Sequence, residues 1–501
     1  MLGLVVALCY AQTVYHQFVW DTVHIFQNEQ VRNFSWNNTV WIFTHPILAN
    51  WIPFSWLSHT LDFVLFGWST GGHHVTNVLI HFLNGCVLYF LVKQLAGWKR
   101  RIDGNLLVTV AALSALLFVL HPLRVESVAW VAARKDLLYS FFFMLSIMAY
   151  VNYVAAGEEH DRRKYYLTSL LLFVFSLLSK SMAVTLPAVL LVLDCYPLNR
   201  AGISSGKLSA IAKSILPDKI PYFVLSIVIS MVTLLTQSDA MPDSTFSSLQ
   251  QILNAMHNAV FHIGKFLVPL SLSPFYPFPS LEEVNSVGYW LPALLALVLI
   301  FAISILWAVK GNPLALICWI LYLTTLSPAS GVIHVGSAAS ADRYTYLTLL
   351  PVTVLLSVGI VRAYVELPRF RSLTVSLTLF VLLSLGALTH AQVSWWQTPI
   401  SLWSRVLHIY PDAALARRNI SASYNFIGDH ESALIHLQHI SAQGWDVDTE
   451  LARTLALTGR KAEAIALYKG MLLSDKYSGE EKEAFENEII RHEEQPGPPL
   501  D

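Results

Sequence analysis

The feature that most constrains this chain is a series of apolar runs, each about 17 to 22 residues long, before residue 393. A helix of that length crosses the roughly 30 Å hydrocarbon core of a bilayer. Hydrophobic residues make up 55% of the 501 positions and charged residues only 13%, about half the charged share of soluble proteins. The sequence therefore predicts an all-α fold, a polytopic transmembrane helical bundle.

The apolar runs predict about eleven spans, with boundaries set by the flanking polar residues. The first run lacks a basic region and a small-residue cleavage site, so we expect it to be retained as a helix. The predicted spans are residues 1–16, 76–96, 104–120, 137–155, 165–180, 182–198, 221–237, 288–309, 313–328, 344–362 and 373–392.

Basic residues in the short loops predict the orientation, because Lys and Arg are enriched in cytoplasmic loops. Alternate loops carry Lys93, Lys99, Arg100 and Arg101, then Arg162, Arg163 and Lys164, then Arg200, Lys207, Lys213 and Lys219, then Lys310, and finally Arg362, Arg369 and Arg371. We therefore expect a cytoplasmic N-terminus and a C-terminal region outside. The opposite loops are 17–75, 121–136, a turn near 180, 238–287 and 329–343.

Two stretches in the long outer loops have the pattern of amphipathic helices lying in the membrane interface. They are "WIPFSWLSHTLDFVLFG" (51–67) and "LQQILNAMHNAVFHIGKFLVPL" (249–270), and the second could instead re-enter the membrane.

The chain becomes polar and charged after about residue 396, with the periodicity of short helices. Residues 421–440 align with 452–471 at an offset of 31, which pairs Gly428 with Gly459, Ala433 with Ala464 and Leu437 with Tyr468. This pattern is typical of degenerate tetratricopeptide repeats (TPR). We predict a transmembrane domain at 1–395, a TPR-like helical domain at 396–490 and a disordered tail at 491–501.

Several functional classes are disfavoured by composition. The net charge of −1 argues against a nucleic-acid partner. All four cysteines fall inside apolar runs, where they are expected to be buried hydrophobic residues. The spacing of His45, His59 and His257 does not indicate a metal site, and we predict no metal ligands.

Basic residues also occur where the predicted orientation places the outside: Arg124, Arg134, Lys135, Lys180, Lys265 and Arg343. Acidic residues accompany them at Asp21, Glu126, Asp136 and Asp342. A charge at the margin of a span is costly unless it is paired or lines a wet cavity. We interpret the set as an outward cavity for a lipid-linked phosphate. The alternative is a set of buried ion pairs, such as Asp342–Arg343 or Arg134–Asp136.

Four blocks resemble the GT-C glycosyltransferases that carry C-terminal tetratricopeptide repeats, namely the eukaryotic transmembrane O-mannosyltransferases of this type and their bacterial relatives. The blocks are "FVWDTVHIFQNEQV" (18–31), "WIPFSWLSHTLDFVLFGWSTGGHHVTNVLIH" (51–81), "HPLRVESVAWVAARKDLL" (121–138), and "LLSKSMAVTLP" (177–187) taken with "ADRYTYL" (341–347). In two places the chain departs from the family pattern. A single Asp21 stands between Trp20 and Thr22 where the family usually has two aspartates, and Ile52 replaces a basic residue.

The resemblance implies inverting transfer of a sugar from a polyprenyl-phosphate carrier on the outer face of the membrane. The implied catalytic carboxylates are Asp21, Asp136 and Glu126, and the implied donor phosphate ligands are Arg343, Lys180, Arg134 and Lys135. Supporting roles fall to His121, Asp342, Tyr346 and His74, with Asp342 holding Arg343 in place.

The identity of the acceptor stays open. Protein Ser/Thr hydroxyls, a glycan or a lipid would each fit, and some enzymes of this architecture use a divalent cation as cofactor. The repeats would present an acceptor protein or bind another protein partner. The missing aspartate leaves a non-catalytic membrane scaffold as the alternative. We expect the bacterial cytoplasmic membrane with periplasmic repeats, or alternatively the endoplasmic reticulum.

Overall fold

A computed structural model describes residues 1–98, 103–200, 215–237, 246–332, 338–474 and 476–494. The chain divides into two compact units, Met1–Gln397 and Thr398–Asp501. The described residues form helices and connecting loops without a β-strand, which confirms the all-α membrane-compatible fold.

The first unit contains eighteen described α-helices. They are α1 (Leu2–Tyr10), α2 (Thr22–Gln27), α3 (Trp36–Thr44), α4 (Pro53–Phe66), α5 (Thr70–Ala96), α6 (Gly104–Leu120), α7 (Val125–Ala129), α8 (Arg134–Ala155), α9 (Glu159–Ser179), α10 (Leu186–Cys195), α11 (Ile220–Gln237), α12 (Ser248–Leu267), α13 (Leu281–Asn285), α14 (Val287–Val309), α15 (Leu314–Leu326), α16 (Thr345–Thr348), α17 (Leu350–Glu366) and α18 (Arg371–Val393).

The structure supports fewer full-length spans than the eleven predicted. In the described residues, five helices are long and apolar enough to cross a bilayer, or up to seven if two bent pairs each count as one span. Three further apolar helices are shorter, at Leu2–Tyr15, Ser181–Cys195 and Leu314–Ala329. The predicted span 165–180 lies in α9, whose first turns carry Glu159, Asp161 and three basic residues. The number of spans therefore stays a prediction.

The first bent pair breaks at Pro122, and the second breaks at Leu349, two residues before Pro351. α6 turns by 63° into the short segment Pro122–Ala129, and Asp342–Thr348 turns by 62° into α17. A proline lacks the N–H that a continuing helix needs and disfavours helical geometry in the residue before it. His121, before Pro122, is accordingly extended, and Pro351 stands in the first turn of α17. The bends turn two short charged segments away from the long helices.

Hydroxyl contacts bring α8 and α9 close together. Ser146 and Ser169 each donate a hydrogen bond to the other's backbone carbonyl at 2.8 Å. Nearer the start of α8, the Ser176 hydroxyl donates to the Tyr139 carbonyl at 2.8 Å. Small polar side chains of this kind stabilise closely packed helices in lipid. Their effect is to place the end of α9 beside the first turn of α8.

The second long loop contains the predicted amphipathic helix, α12. Its buried face is largely polar and includes Asn254, Asn258 and His262, whereas Leu249 and Leu267 are exposed. The first stretch, 51–67, likewise forms a helix, α4. Part of the second loop, residues 238–245, lies outside the described residues.

The second unit consists of six helices: α19 (Pro399–Ile409), α20 (Ala414–Phe426), α21 (His430–Ala442), α22 (Asp448–Leu457), α23 (Lys461–Leu472) and α24 (Gly479–Glu494). Gly428 and Gly459 end equivalent helices with φ of +85° and +83°, a conformation that favours glycine. Ala433 and Ala464 are both fully buried. The positions aligned in the sequence thus have equivalent structural roles. The tail predicted from 491 is helical as far as Glu494, and residues 495–501 lie outside the described residues.

Candidate functional site

The two bent segments meet through an ion pair between Arg343 and Glu126. The Arg343 guanidinium donates to one oxygen of the Glu126 carboxylate, and the Arg343 backbone N–H donates to the other at 2.8 Å. Glu126 is fully buried, whereas the Arg343 side chain keeps 15% of its surface exposed. The carboxylate therefore holds the backbone and side chain of Arg343 in one position and leaves the guanidinium accessible on one side.

A second ion pair lies where α9 meets α8. The Lys180 ammonium donates to Asp136 Oδ1 at 2.5 Å, and the Lys180 side chain is 12% exposed. The Tyr344 ring lies between the two cations, 5.0 Å from the Arg343 guanidinium carbon and 5.7 Å from the Lys180 nitrogen. A cation near an aromatic face is attracted by the ring quadrupole. Tyr344 therefore lies near the cation of each ion pair and joins the two pairs into one group.

Lys135 and Asp21 complete this group without forming an ion pair themselves. Both are half-buried, and within the described ranges neither side chain has a hydrogen-bond or ion-pair partner. Lys135 lies within electrostatic range of Lys180, Arg343 and Asp21. Burial raises the pKa of the Asp21 carboxyl above its ordinary value, while the charges of Lys135 and Arg343 act in the opposite direction. Asp21 is thus a carboxylate with its oxygens free, beside two cations.

Stacked indole rings cover one side of Arg343. Trp20 stacks on Trp130 with ring centroids 4.7 Å apart, and Trp130 in turn stacks on Trp396 at 6.2 Å. The Arg343 guanidinium carbon lies 5.9 Å from the Trp20 ring and 5.5 Å from the Trp130 ring. Trp20 adopts φ of +54°, which is unfavourable for a residue with a side chain. This backbone conformation immediately precedes Asp21, and strained residues of this kind cluster at functional sites.

We refer to Asp21, Glu126, Lys135, Asp136, Lys180 and Arg343 as the Asp21 cluster. The structure brings six of the eleven predicted site residues together, although they come from five separate segments of the chain. Chemically, three cations beside an aromatic wall can hold a phosphate, and guanidinium suits its planar contacts. A free carboxylate within the same group can accept a proton.

Arg134 lies in a different environment from the one predicted. Its fully buried guanidinium pairs with Asp62 and also donates to Asn77 Oδ1 at 2.8 Å, to the Ser58 carbonyl at 3.1 Å and to the His73 carbonyl at 3.0 Å. These contacts join α4, α5 and α8. The geometry makes Arg134 a structural residue and does not support the predicted phosphate contact. Nor does Arg134 pair with Asp136, because Asp136 is bound by Lys180.

The predicted contact between Asp342 and Arg343 is also wrong. Asp342 is buried and accepts a hydrogen bond from the Tyr276 hydroxyl at 2.8 Å, while Arg343 turns to Glu126. Adjacent residues of a tight turn point in different directions, so proximity in sequence does not make them partners. Asp342 therefore anchors the turn to the loop after α12 and does not orient the guanidinium.

The remaining supporting residues are buried and contact other parts of the helical bundle. His121 Nδ1 accepts from the Leu123 N–H at 3.2 Å, and its ring stacks on Phe266 at 4.8 Å. The Tyr346 hydroxyl lies 2.8 Å from His81 Nδ1 and accepts from Asn84 at 3.2 Å.

His74 has a ring contact with His16 at 5.8 Å. In the described part of the chain, none of His121, Tyr346 or His74 contacts a charged side chain of the Asp21 cluster. No direct contact with the cluster therefore supports the predicted roles of these three residues.

The residues near the site do not form a suitable cation site. Glu126 and Asp136 already pair with Arg343 and Lys180, so Asp21 is the remaining carboxylate of the cluster. Across the described ranges, no group of three His, Cys, Asp or Glu side chains could hold a metal ion.

The sequence analysis missed three residues: Tyr344 and Trp130, which lie against Arg343, and Asp62, which pairs with Arg134. Asp62 lies in an otherwise apolar stretch, "LDFVLFG", and a lone acid in such a stretch indicates a buried partner. Tyr344 and Trp130 lie inside the motifs that carried the resemblance, but aromatic residues are so common in this chain that nothing singled them out.

Comparison with known proteins finds several protein O-mannosyl-transferases that are similar to this chain, although no protein-family profile matches it. Protein O-mannosyl-transferase F38B6.6 of Caenorhabditis elegans is 23% identical over 374 residues, 74% of this chain and 50% of the relative. Protein O-mannosyl-transferase TMTC4 of Mus musculus is 26% identical over 239 residues, 44% of this chain and 31% of the relative. Protein O-mannosyl-transferase TMTC2 of Homo sapiens is 30% identical over 152 residues, 30% of this chain and 17% of the relative.

The chain thus matches half or less of the length of each of these relatives. Their common name agrees with the resemblance identified from the sequence motifs, and the apolar helices agree with a multi-pass membrane protein. The chain is therefore similar in sequence to TMTC-type protein O-mannosyl-transferases, and its apolar helices are those of a multi-pass membrane protein.

Proposed function

We propose that this chain is a membrane glycosyltransferase that moves a sugar from a polyprenyl-phosphate-linked donor to Ser or Thr hydroxyls of a protein. The observation that carries the proposal is the Asp21 cluster, where one unpaired carboxylate lies beside Lys135 and Arg343 and a third cation, Lys180, lies in the same group. The relatives named above, all protein O-mannosyl-transferases, support mannose as the first sugar to test.

In the proposed reaction, the acceptor hydroxyl oxygen forms a bond to the anomeric carbon of the sugar. The bond from that carbon to the phosphate oxygen breaks, and the carrier leaves as a polyprenyl phosphate. The hydroxyl proton passes to Asp21, which acts as general base. Attack opposite the phosphate inverts the anomeric centre.

The cations would act on the leaving group. Negative charge grows on the phosphate as the bond breaks, and fixed charges in a site with little water stabilise it most. Arg343 and Lys180 are held in position by Glu126 and Asp136, so they need not reorganise during the reaction. Lys135 has no protein partner in the described part and is free to contact the phosphate. Glu126 and Asp136 are therefore positioning residues in this mechanism, and Asp21 is the catalytic base.

The test is transfer from radiolabelled polyprenyl-phosphate mannose in membranes that contain the full-length chain. Label that enters protein and is released by alkaline β-elimination would support transfer to Ser or Thr. Label in a glycan or lipid fraction would instead favour the alternative acceptors. The Asp21→Asn variant should lower transfer by about 10²- to 10⁴-fold, the usual contribution of general base catalysis.

Glu29→Gln is the matched control, because Glu29 lies in the same loop with its side chain 85% exposed. We expect it to leave transfer unchanged. If Asp21→Asn transfers sugar at the wild-type rate, the proposed base is wrong. If the wild type transfers no label from any tested donor, the non-catalytic scaffold becomes the better hypothesis.

Orientation is part of the proposal. We infer that the Asp21 cluster faces away from the cytoplasm, in the bacterial cytoplasmic membrane with the second unit in the periplasm. Membrane-impermeant thiol labelling should modify a cysteine introduced at the exposed Trp36 in intact cells, but not one introduced at the exposed Lys164. The reverse result would contradict the proposed location of the reaction.

A further inference from the structure

A large apolar cavity lies in the membrane unit, apart from the Asp21 cluster. Its volume is about 770 Å³, and its walls come from α5, α6, α8, α10, α15 and α17. Leu91, Val110, Ile147, Leu193 and Ile317 are representative of its lining. The volume is that of a ligand pocket, and the lining is that of a hydrocarbon-binding site.

The cavity has a charged rim at one end only. Asp103 lies at the start of α6, Lys310 at the end of α14, and Arg362 and Glu366 in the last turns of α17. All four side chains are exposed, and in the described part of the chain none forms an ion pair. The rim therefore presents two cations and two carboxylates that form no ion pair among the described residues, and Asp103 also accepts a hydrogen bond from the Asn105 N–H at 2.9 Å.

The rim is at the opposite end of the helices from the Asp21 cluster. Arg343 precedes α17, whereas Arg362 lies near the end of that helix. The deep end of the cavity reaches Leu347 and Leu350, which carry no charge. A polyprenyl-phosphate sugar whose phosphate lies beside Arg343 would therefore not place a charged group at this rim.

We propose that this cavity is a binding site for a glycerophospholipid of the membrane leaflet on the Lys310 side. An acyl chain occupies the apolar cavity, and Lys310 and Arg362 bind the lipid phosphate. Asp103 and Glu366 are available to an amine in the head group, since carboxylates attract ammonium groups. The acyl chain fills the void between the helices, whose lining side chains would otherwise lack packing partners. Lipid binding in this cavity does not depend on the proposed transfer reaction.

The test measures lipid that copurifies with the full-length chain. After extensive washing in mild detergent, extracted lipid is identified and counted by mass spectrometry. We expect about one phospholipid per wild-type chain. Lys310→Ala and Arg362→Ala should each lower retention by about fivefold, because a basic residue near an anionic lipid surface contributes on the order of 1 kcal/mol.

Lys164→Ala is the matched control, because Lys164 is an exposed basic residue on the same predicted side of the membrane and does not line the cavity. It should retain lipid as the wild type does. Equal loss from all three variants would overturn the proposal, since general surface charge would explain it. A polyprenyl phosphate in place of a phospholipid, or the absence of any retained lipid, would also overturn it.

A second measurement covers the case in which a rim variant fails to fold. Cys318 lines the cavity and is otherwise buried. In a chain where the other three cysteines are replaced, a small lipophilic maleimide should label Cys318 several-fold faster after detergent delipidation. Returning phospholipid vesicles should restore protection. Labelling that does not respond to lipid would contradict occupancy of the cavity.

Discussion

Two charged clusters in the membrane unit have similar compositions and different architectures. The Asp21 cluster contains three acids and three bases. The second group, the Asp194 cluster, contains Asp194, Arg200, Asp218 and Lys219, packed around Tyr150. Each has no net formal charge.

The Asp194 cluster is closed. The buried Lys219 ammonium donates to Asp194 at 2.6 Å and to Asp218 at 2.8 Å, while Arg200 donates to Asp218 at 2.7 Å. The Tyr150 hydroxyl donates to Asp194 at 2.8 Å. Every charge thus has a direct partner of opposite sign. Such a network holds α8, α10 and α11 together and has no charge left to bind a ligand.

The Asp21 cluster is open by comparison. Two ion pairs form within it, but the Lys135 and Asp21 side chains have no direct partner among the described residues. Equal numbers of opposite charges are therefore a poor guide to function. The informative property is which charges the protein itself leaves unpaired.

The largest expected effect is a loss of protein stability when the Asp194 cluster is broken. Asp194→Asn removes one of the two carboxylates that pair with the fully buried Lys219, which should lower the free energy of unfolding by about 3 kcal/mol. Thermal denaturation in detergent measures this loss. Sugar transfer per folded molecule should be unchanged. A variant that is stable but inactive would contradict the division between the two clusters.

The second largest effect is expected when the Asp21 cluster loses a positive charge. Arg343→Met should lower transfer by roughly 10²- to 10³-fold, because a fixed donor to the developing phosphate charge is lost. Arg343→Lys keeps the charge but loses the planar contact, so we expect partial recovery. Arg371→Met, at an exposed position, is the control and should retain full activity. Wild-type transfer by Arg343→Met would exclude Arg343 as a phosphate ligand.

A smaller effect is expected on the pH dependence. Transfer requires Asp21 as carboxylate, and burial raises its pKa, so activity should fall at a higher pH than for an ordinary exposed aspartate as the solution is acidified. Lys135 lowers the pKa of Asp21, so Lys135→Met should move the acid limb to still higher pH. The pH profile of initial transfer rates tests this. A shift to lower pH would contradict the assignment.

The smallest effect concerns the ring between the two cations. Tyr344→Leu removes an aromatic face from Arg343 and Lys180, and should weaken donor binding by about 0.5–2 kcal/mol. Tyr344→Phe keeps the face and is the matched control. The Michaelis constant for the donor should report the difference. Equal constants for both variants would show that Tyr344 is only a packing residue.

The sequence predicted much of the fold, because hydrophobic length and periodicity are local properties. α5, α8, α11, α14 and α18 fall where apolar runs predicted spans, with starts up to six residues early, as Thr70 is for α5. The bends at Pro122 and at Leu349, just before Pro351, were not predicted. Proline only permits a break, and the tertiary contacts of the following segment decide its direction.

Charge partners were predicted less well. Lys219 was assigned to a cytoplasmic loop on charge alone, yet its side chain is fully buried in the Asp194 cluster. Arg134 was grouped with Arg343, yet it binds Asp62, which lies 72 positions earlier in the sequence. A partner this distant leaves no periodic trace in the sequence, so spacing rules could not identify it.

What the sequence determined by itself was the helical membrane character of the first unit, the repeated positions of the second and the identity of all six residues in the Asp21 cluster. These follow from hydropathy, glycine positions and short motifs, which act over a few turns of helix. Only the tertiary structure decided which charges neutralise one another and which remain available, because burial and pairing depend on segments that are far apart in the chain.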